Sequence, residues 1–353
     1  MPFYPYLITT LFSLISLSTF TIYRCDLLPA SHRNHHPDFS NNVREHNFTD
    51  HDLKPYKRII FVGDVHGMED ALDDLLDKVS YKRSHDLLVH VGDFTTKGPK
   101  SINMLSRFAK ANTTGVRGNH EQQIIEWRAW ITWVESEGGK AWLARLEREH
   151  PDGIGHRKGK TLRWPIPKKW DFMEEHYRIA RNMTSEEYEY LRRLPSVLHF
   201  HSLHTFAVHG GMLPFDPNHP LESPKQPLAR KPRISSESIA VVRTSQEHSI
   251  LTDVSQNKDM DTLLNIRSVT KTGEVSRNNG KGTPWSNLWT KAISRCHGYS
   301  HFTEEYSAQE PLSHELPCHP INVVYGHAAL RGLDIKEWSF GLDSDCVSVA
   351  HYF

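Results

Sequence analysis

The sequence predicts an α/β sheet fold, and three observations carry that expectation. Short apolar runs with β-branched residues recur at "RIIFVGD", "HDLLVHVGD", "TFAVHGG" and "INVVYGH". The first of these reads as a strand buried on both faces. Segments of helical period alternate with the early runs, as in strand–helix–strand units. Each run also stops at Gly followed or preceded by Asp or His, where a strand breaks into a turn.

The elements follow in order. "MPFYPYLITTLFSLISLSTFTIY" is free of charge until Arg24. Residues 4–23 match the ~20 residues that span a bilayer core. No Lys or Arg precedes them, so an uncleaved transmembrane signal anchor is expected rather than a cleaved peptide. Residues 24–55 are polar and aperiodic, as in a linker. Residues 56–353 then form the catalytic-type domain. "MEDALDDLLDKV" places Ala71, Leu72, Leu75, Leu76 and Val79 on one helical face, with acids in its first turn. Pro99 opens a second helix carrying Ile102, Leu105 and Phe108. "GVRGNHE" reads as a third strand end. A Trp-rich helical insertion is expected over about 122–190, its aromatic stripe serving as core. A Pro-, Ser- and Lys-rich surface insertion is expected over about 215–281. The last strands are "INVVYGH" and "SFGLDSDCVSV".

Lys plus Arg and Asp plus Glu both number 42, so the formal charge is zero. That balance gives no electrostatic footprint for nucleic acid as a partner. The four cysteines, Cys25, Cys296, Cys318 and Cys346, contain no C-x-x-C spacing. This excludes a zinc ribbon or thioredoxin-type motif. Cys296 and Cys318 could close a disulfide in an oxidising compartment, or remain as two buried thiols. Glycosylation sequons at Asn47, Asn112 and Asn182 suggest a lumenal domain, whereas Arg24 and Arg33 weakly favour the opposite topology. No pattern specifies an oligomeric state.

The strand ends carry the chemistry. In open α/β sheets ligands bind beyond the carboxyl ends of strands. Here those ends supply Asp64 with His66, then Asp93, Asn119, His209 and His327. Asp64 and His66 are two residues apart and face one side in extended chain. Flanking glycines permit close approach of backbone to an ion or phosphate.

The set G-D-V-H-G, G-D-x-x-x-K-G-P, G-N-H-E, H-G-G and a late G-H resembles the calcineurin-like metallophosphoesterases over about residues 58–349. It is most similar to the ApaH-like branch that includes fungal vacuolar endopolyphosphatases and is related to Ser/Thr protein phosphatases. The resemblance implies a four-layered αββα sandwich. It implies one divalent metal ion on Asp64, His66 and Asp93, and a second on Asp93, Asn119, His209 and His327. Two such cations, Mn, Zn, Co, Fe or Mg, activate a bridging water for in-line attack on phosphorus. His120 falls at the general-acid position, protonating the leaving oxygen. Asn119, Lys97 and Arg267 are the implied phosphate contacts. Protein phosphatases carry Asp-Arg where this chain has Thr96-Lys97; Lys binds phosphate as a point charge rather than a planar fork. "HGGMLPFDP", "LLNIRSV", "GTPWSNLW" and "GLDSDCV" resemble downstream segments of the endopolyphosphatases. The family pattern has Gly at the place of Asp345, and continues into a further strand beyond it.

The resulting expectation is a membrane-anchored phosphoanhydride hydrolase of the secretory or vacuolar system, acting on inorganic polyphosphate with its domain lumenal. A Ser/Thr phosphoprotein phosphatase, a dinucleoside-polyphosphate hydrolase and a non-catalytic binding protein are the other readings.

Overall fold

The computed structural model describes residues 38–42, 45–232, 238–299 and 315–349. The expected span at 4–23 lies outside them. Among the described residues no helix is long and apolar enough to cross a membrane.

Among the described residues there are twelve strands: β1 (Glu45–Phe48), β2 (Arg58–Val62), β3 (Asp86–His90), β4 (Thr114–Gly115), β5 (Val197–Phe200), β6 (Thr205–Val208), β7 (Ser268–Val269), β8 (Val275–Ser276), β9 (Thr283–Pro284), β10 (Asn322–Tyr325), β11 (Asp334–Ile335) and β12 (Ser339–Gly341). One mixed sheet has the order β1-β5-β6-β10-β12-β11, and a parallel sheet has the order β2-β3-β4. A small antiparallel sheet, β8-β7-β9, lies within the second insertion.

Side-chain alternation along the strands sorts the core into three slabs. Leu87 and Val89 of β3 meet Leu198, Phe200, Ala207 and Val324 of the larger sheet, filling the space between the two sheets. Leu88 points the other way, onto Leu72, Leu76, Met104, Leu105 and Phe108 of the helices Glu69–Lys78 and Ser101–Ala111. Phe206, Val208, Val323 and Tyr325 turn outward from the larger sheet onto Trp285, Trp289 and Ile250. Helix, sheet, sheet and helix therefore stack in four layers, the architecture that the motif resemblance implies.

The Trp-rich segment is core, as its stripe predicts. Trp127 and Trp130, on the helix Asn119–Ser136, are fully buried. The Trp127 ring packs edge-on against Tyr177 with centroids 4.9 Å apart, which docks the helix Glu175–Asn182 onto it. Burying such a ring contributes about 4–6 kcal/mol at most.

Several expectations need correction. Part of the anticipated linker is folded: residues 45–48 form a strand paired with β5, and Phe39 packs against Trp133 and Trp170. The burial of "RIIFV" is partial, because β2 is an edge strand of its sheet. On the first helix Leu72 and Leu76 are buried, while Leu75 is exposed. The second helix begins at Ser101, after Pro99, and buries Met104, Leu105 and Phe108 while exposing Ile102. Residues 215–281 are more than a surface insertion. They supply the helices Ile239–Asp253 and Met260–Asn265, with Ile250, Leu263 and Ile266 in the outer core. Of the last expected strand only Ser339–Gly341 is extended, and Cys346–Val349 is helical. Cys296 and Cys318 are bonded to each other, which resolves the choice left open by their spacing.

At the start of the parallel sheet, Arg58 donates to both Asp86 oxygens at 2.9 and 2.7 Å, and the Lys82 N–H donates at 2.7 Å. Arg58, then Lys82, hold the Asp86 carboxyl down to about 2. A depressed carboxylate contributes stability above its unfolded value of about 3.9, and that contribution disappears as pH falls through the folded value. Asp86→Asn should therefore lower Tm at pH 7, with the gap to wild type closing between pH 4 and pH 2. A pH series of melting curves checks it, and a gap independent of pH would contradict it.

Candidate metal centre and active site

The carboxyl ends of β2, β3, β6 and β10 converge, and their loops bring the expected residues together. Val65 and His66 donate backbone N–H groups to the Asp93 carbonyl at 3.1 and 2.9 Å, and Gly67 donates to Phe94 at 2.9 Å. These bonds lock the first Gly-Asp loop to the second. His66, Asp93 and His327 all have positive φ, at 46°, 49° and 68°. Non-glycine residues there cost roughly 1–3 kcal/mol each and persist where the surroundings enforce them. A Cβ at Gly118 would collide with Asp93 Oδ1, and one at Gly326 with Asp64 Oδ1. Those two glycines let the carboxylates enter.

Asp93 is the hub. Its Oδ2 lies 3.3 Å from His209 Nε2 and 3.8 Å from both His66 Nε2 and His120 Nε2. The ligating atoms of His66, Asp93 and His120 lie within 4.8 Å of one another, and so do those of Asp93, His209 and His327. Asn119 Oδ1 is 2.9 Å from His209 Nε2. Asp64 Oδ2 is 4.0 Å from His66 Nε2, and both Asp64 oxygens accept the His327 N–H at 3.1 Å. His66 Nδ1 meets the Thr95 carbonyl at 3.1 Å, and His209 Nδ1 meets the Val91 carbonyl at 2.8 Å. A carbonyl only accepts, so Nδ1 of each ring carries a proton and Nε2 is the ligating nitrogen.

The electrostatics show a site short of positive charge. Burial opposes the Asp93 charge, yet His209, His120 and His66 hold its carboxyl well below the usual range. Burial pushes Asp64 well above it, with Asp343 and Asp93 adding repulsion. His209 is buried too, but Asp93 and Asp64 raise its ring to about 10. Burial drives His327 well below its usual value, and its Nε2 is buried without a hydrogen-bond partner. A buried lone pair without a donor, beside carboxylates that draw a proton onto His209, fits divalent cations. The donors are oxygen and imidazole nitrogen without thiolate, which suits Mn, Zn, Co, Fe or Mg. Asp64, His66, Asp93, Asn119, His209 and His327 are the residues that would hold them.

The expected phosphate contacts are placed less simply. Lys97 Nζ is 2.9 Å from His66 Nε2. One nitrogen cannot accept from Lys97 and ligate a cation, so ligation by His66 requires the ammonium to turn away. Arg267 is half-buried. Burial and the neighbouring Arg331 lower its guanidinium, against the attraction of Asp343, Asp64 and Asp93. The Arg331 guanidinium donates to the Arg267 carbonyl. Asp345 occupies the family's Gly position with φ 57°, the left-handed conformation that Asp is among the few residues to tolerate.

Four site residues were not singled out by sequence. Glu121 is fully buried and accepts from the N–H groups of Asp93 (2.7 Å), Gly118 (3.0 Å) and Thr95 (3.2 Å). Its place at the end of G-N-H-E was the available signal. Asp343 is buried beside Asp64. Glu175 accepts from Lys97 N at 2.8 Å and Ser101 Oγ at 3.0 Å. His176 Nε2 lies 2.9 Å from His120 Nδ1. For the last two, no local pattern marks the contact.

Known proteins resemble parts of this chain. Residues 57–232 match the calcineurin-like phosphoesterase family. Serine/threonine-protein phosphatase 1 of Salmonella typhimurium is 35% identical over 102 residues, covering 28% of this chain and 46% of that protein. A symmetrical bis(5'-nucleosyl)-tetraphosphatase of Vibrio campbellii is 40% identical over 139 residues, covering 34% of this chain and 52% of that protein. The chain thus spans about half the length of these curated relatives. A solved structure of a protein provisionally assigned as a diadenosine tetraphosphatase has a TM-score of 0.46 at 20% identity, covering 87% of this chain and 90% of that one. Motifs, site and family match together place the chain in the calcineurin-like metallophosphoesterase superfamily.

Metal binding should be visible in stability. At about 100 times Kd, Mn²⁺ or Zn²⁺ added to the stripped chain stabilises it by about 2.7 kcal/mol, read as a rise in Tm. Asp93→Asn should keep the circular dichroism spectrum and lose most of that rise. Equal rises in both proteins would place the ions elsewhere.

Proposed function

We propose that the chain is a metal-dependent phosphohydrolase cleaving phosphoanhydride bonds, with inorganic polyphosphate as its substrate. The observation that carries the hydrolase reading is the pair of donor clusters sharing Asp93, with the buried His327 nitrogen left without a partner. Two divalent cations held there would activate water and offset charge on the phosphoryl oxygens. Around them, Asp93 supplies negative charge held in place by the neighbouring imidazoles, and Lys97 and Arg267 supply positive charge for phosphate oxygens. His120 faces the same space and would protonate the leaving oxygen.

The anhydride preference rests on Thr96 and Lys97. Phosphate is a better leaving group than an alkoxide and demands less of the general acid. A His120 ring whose partner is the Thr96 hydroxyl, at 2.8 Å, suits that lighter demand. A dinucleoside tetraphosphate is the second reading, favoured by the Vibrio campbellii relative. The test is to strip the protein and reload it singly with Mn, Zn, Co or Mg. It is then given polyphosphate, a dinucleoside tetraphosphate and a phosphopeptide. Polyphosphate should shorten on a chain-length gel, with phosphopeptide turnover slower; comparable phosphopeptide rates would overturn the preference. Lys97→Ala should weaken substrate binding by about tenfold, as for loss of one charge-assisted hydrogen bond.

We further propose that the domain faces a secretory or vacuolar lumen, anchored by residues 4–23. The Cys296–Cys318 bond supports an oxidising compartment, and Asn47, Asn112 and Asn182 are all exposed. Protein expressed in eukaryotic cells should gain mobility on endoglycosidase treatment. An unchanged band would count against the lumenal assignment.

A further inference from the structure

The Trp-rich insertion reaches into the active site through one helix. Glu175 and His176 are its first two residues, and Trp127–Tyr177 packing fixes where it starts. Glu175 accepts from Lys97 and Ser101, and so holds the turn in which Thr96 and Lys97 adopt φ 68° and 67°. His176 lies beside His120 with ring planes 18° apart and centroids 5.0 Å apart.

The hydrogen bonds at His120 Nδ1 assign its proton. Thr96 Oγ1 donates its one hydrogen to the Thr95 carbonyl at 2.5 Å. Toward His120 Nδ1, at 2.8 Å, Thr96 therefore accepts. With the Thr96 hydrogen on the Thr95 carbonyl, Nδ1 carries a proton, and that N–H is shared between Thr96 Oγ1 and His176 Nε2, 2.9 Å away. His176 is partly exposed and accepts as a neutral ring.

We propose that His176 is a positioning residue for His120, accepting the Nδ1–H bond together with Thr96 in place of a carboxylate partner. The proposal rests on the phosphohydrolase reading. To act as the acid, His120 first takes a second proton from solvent on Nε2; as the P–O bond breaks, the leaving oxygen takes that proton and the ring is left neutral, with its remaining proton on Nδ1. Thr96 and His176 hold that tautomer. They also fix the ring plane so that Nε2 faces the reacting oxygen. The insertion thereby completes the catalytic apparatus.

The test uses the full chain carrying His176→Phe or His176→Gln. Aryl phosphates from 4-nitrophenyl to phenyl phosphate grade the need for a general acid. His176→Phe should lower kcat about tenfold or more on phenyl phosphate but less than about threefold on 4-nitrophenyl phosphate, because only a poor leaving group needs the acid. His176→Gln, whose side-chain oxygen accepts, should stay within about threefold of wild type on both. In the metal-free protein, the ¹⁵N resonance of His120 Nδ1 should shift in the Phe variant and be retained in the Gln variant. A uniform loss across the ester series, or an unmoved His120 resonance, would overturn the assignment of His176 alone. A wild-type protein inactive on every ester and anhydride would instead overturn the phosphohydrolase reading beneath it.

Discussion

A carboxylate taken out of water must find compensating charge or lose its own. Asp93 keeps its charge while almost fully buried, because three imidazoles surround it and His120 donates a backbone N–H to it at 3.1 Å. That requirement organises the rest. Glu121 pins the backbone on either side of Asp93, Gly118 clears space for its oxygen, and two sheets bring histidines from separate strands to it. The left-handed backbone at His66, Asp93 and His327 is a cost accepted at the same place.

Much of this was legible because the signals are local. A β-branched run ending in Gly-Asp announces a strand, a turn and a carboxylate at the strand's end within seven residues. All six expected ligands and His120 therefore stand out in the sequence, and the fold gathers them in one region. The four layers followed from the motif resemblance, and strand alternation accounts for them residue by residue. Trp127 and Trp130 declared themselves as core by helical spacing.

What sequence did not reveal depends on distance along the chain. The His120–His176 contact joins residues 56 apart, and the Lys97–Glu175 contact joins residues 78 apart. Neither has a spacing to recognise. β1 was hidden in polar sequence because an edge strand needs little apolar character, and only Phe48 of its four residues is buried. The second insertion looked like surface because its apolar residues are spread between loops, yet Leu263 and Ile266 are fully enclosed. Asp345 read as a departure from the family pattern until its left-handed conformation showed that the chain follows the path a glycine would take.

The central claim is that one buried carboxylate is shared by two cations. A crystal of the protein soaked in Mn²⁺, with data collected at the manganese absorption edge, tests it without any assumption about substrate. The account predicts two anomalous peaks about 3.5–4 Å apart on either side of Asp93. One peak should lie against Asp64 and His66, and the other against Asn119, His209 and His327. A single peak, or peaks away from Asp93, would contradict it.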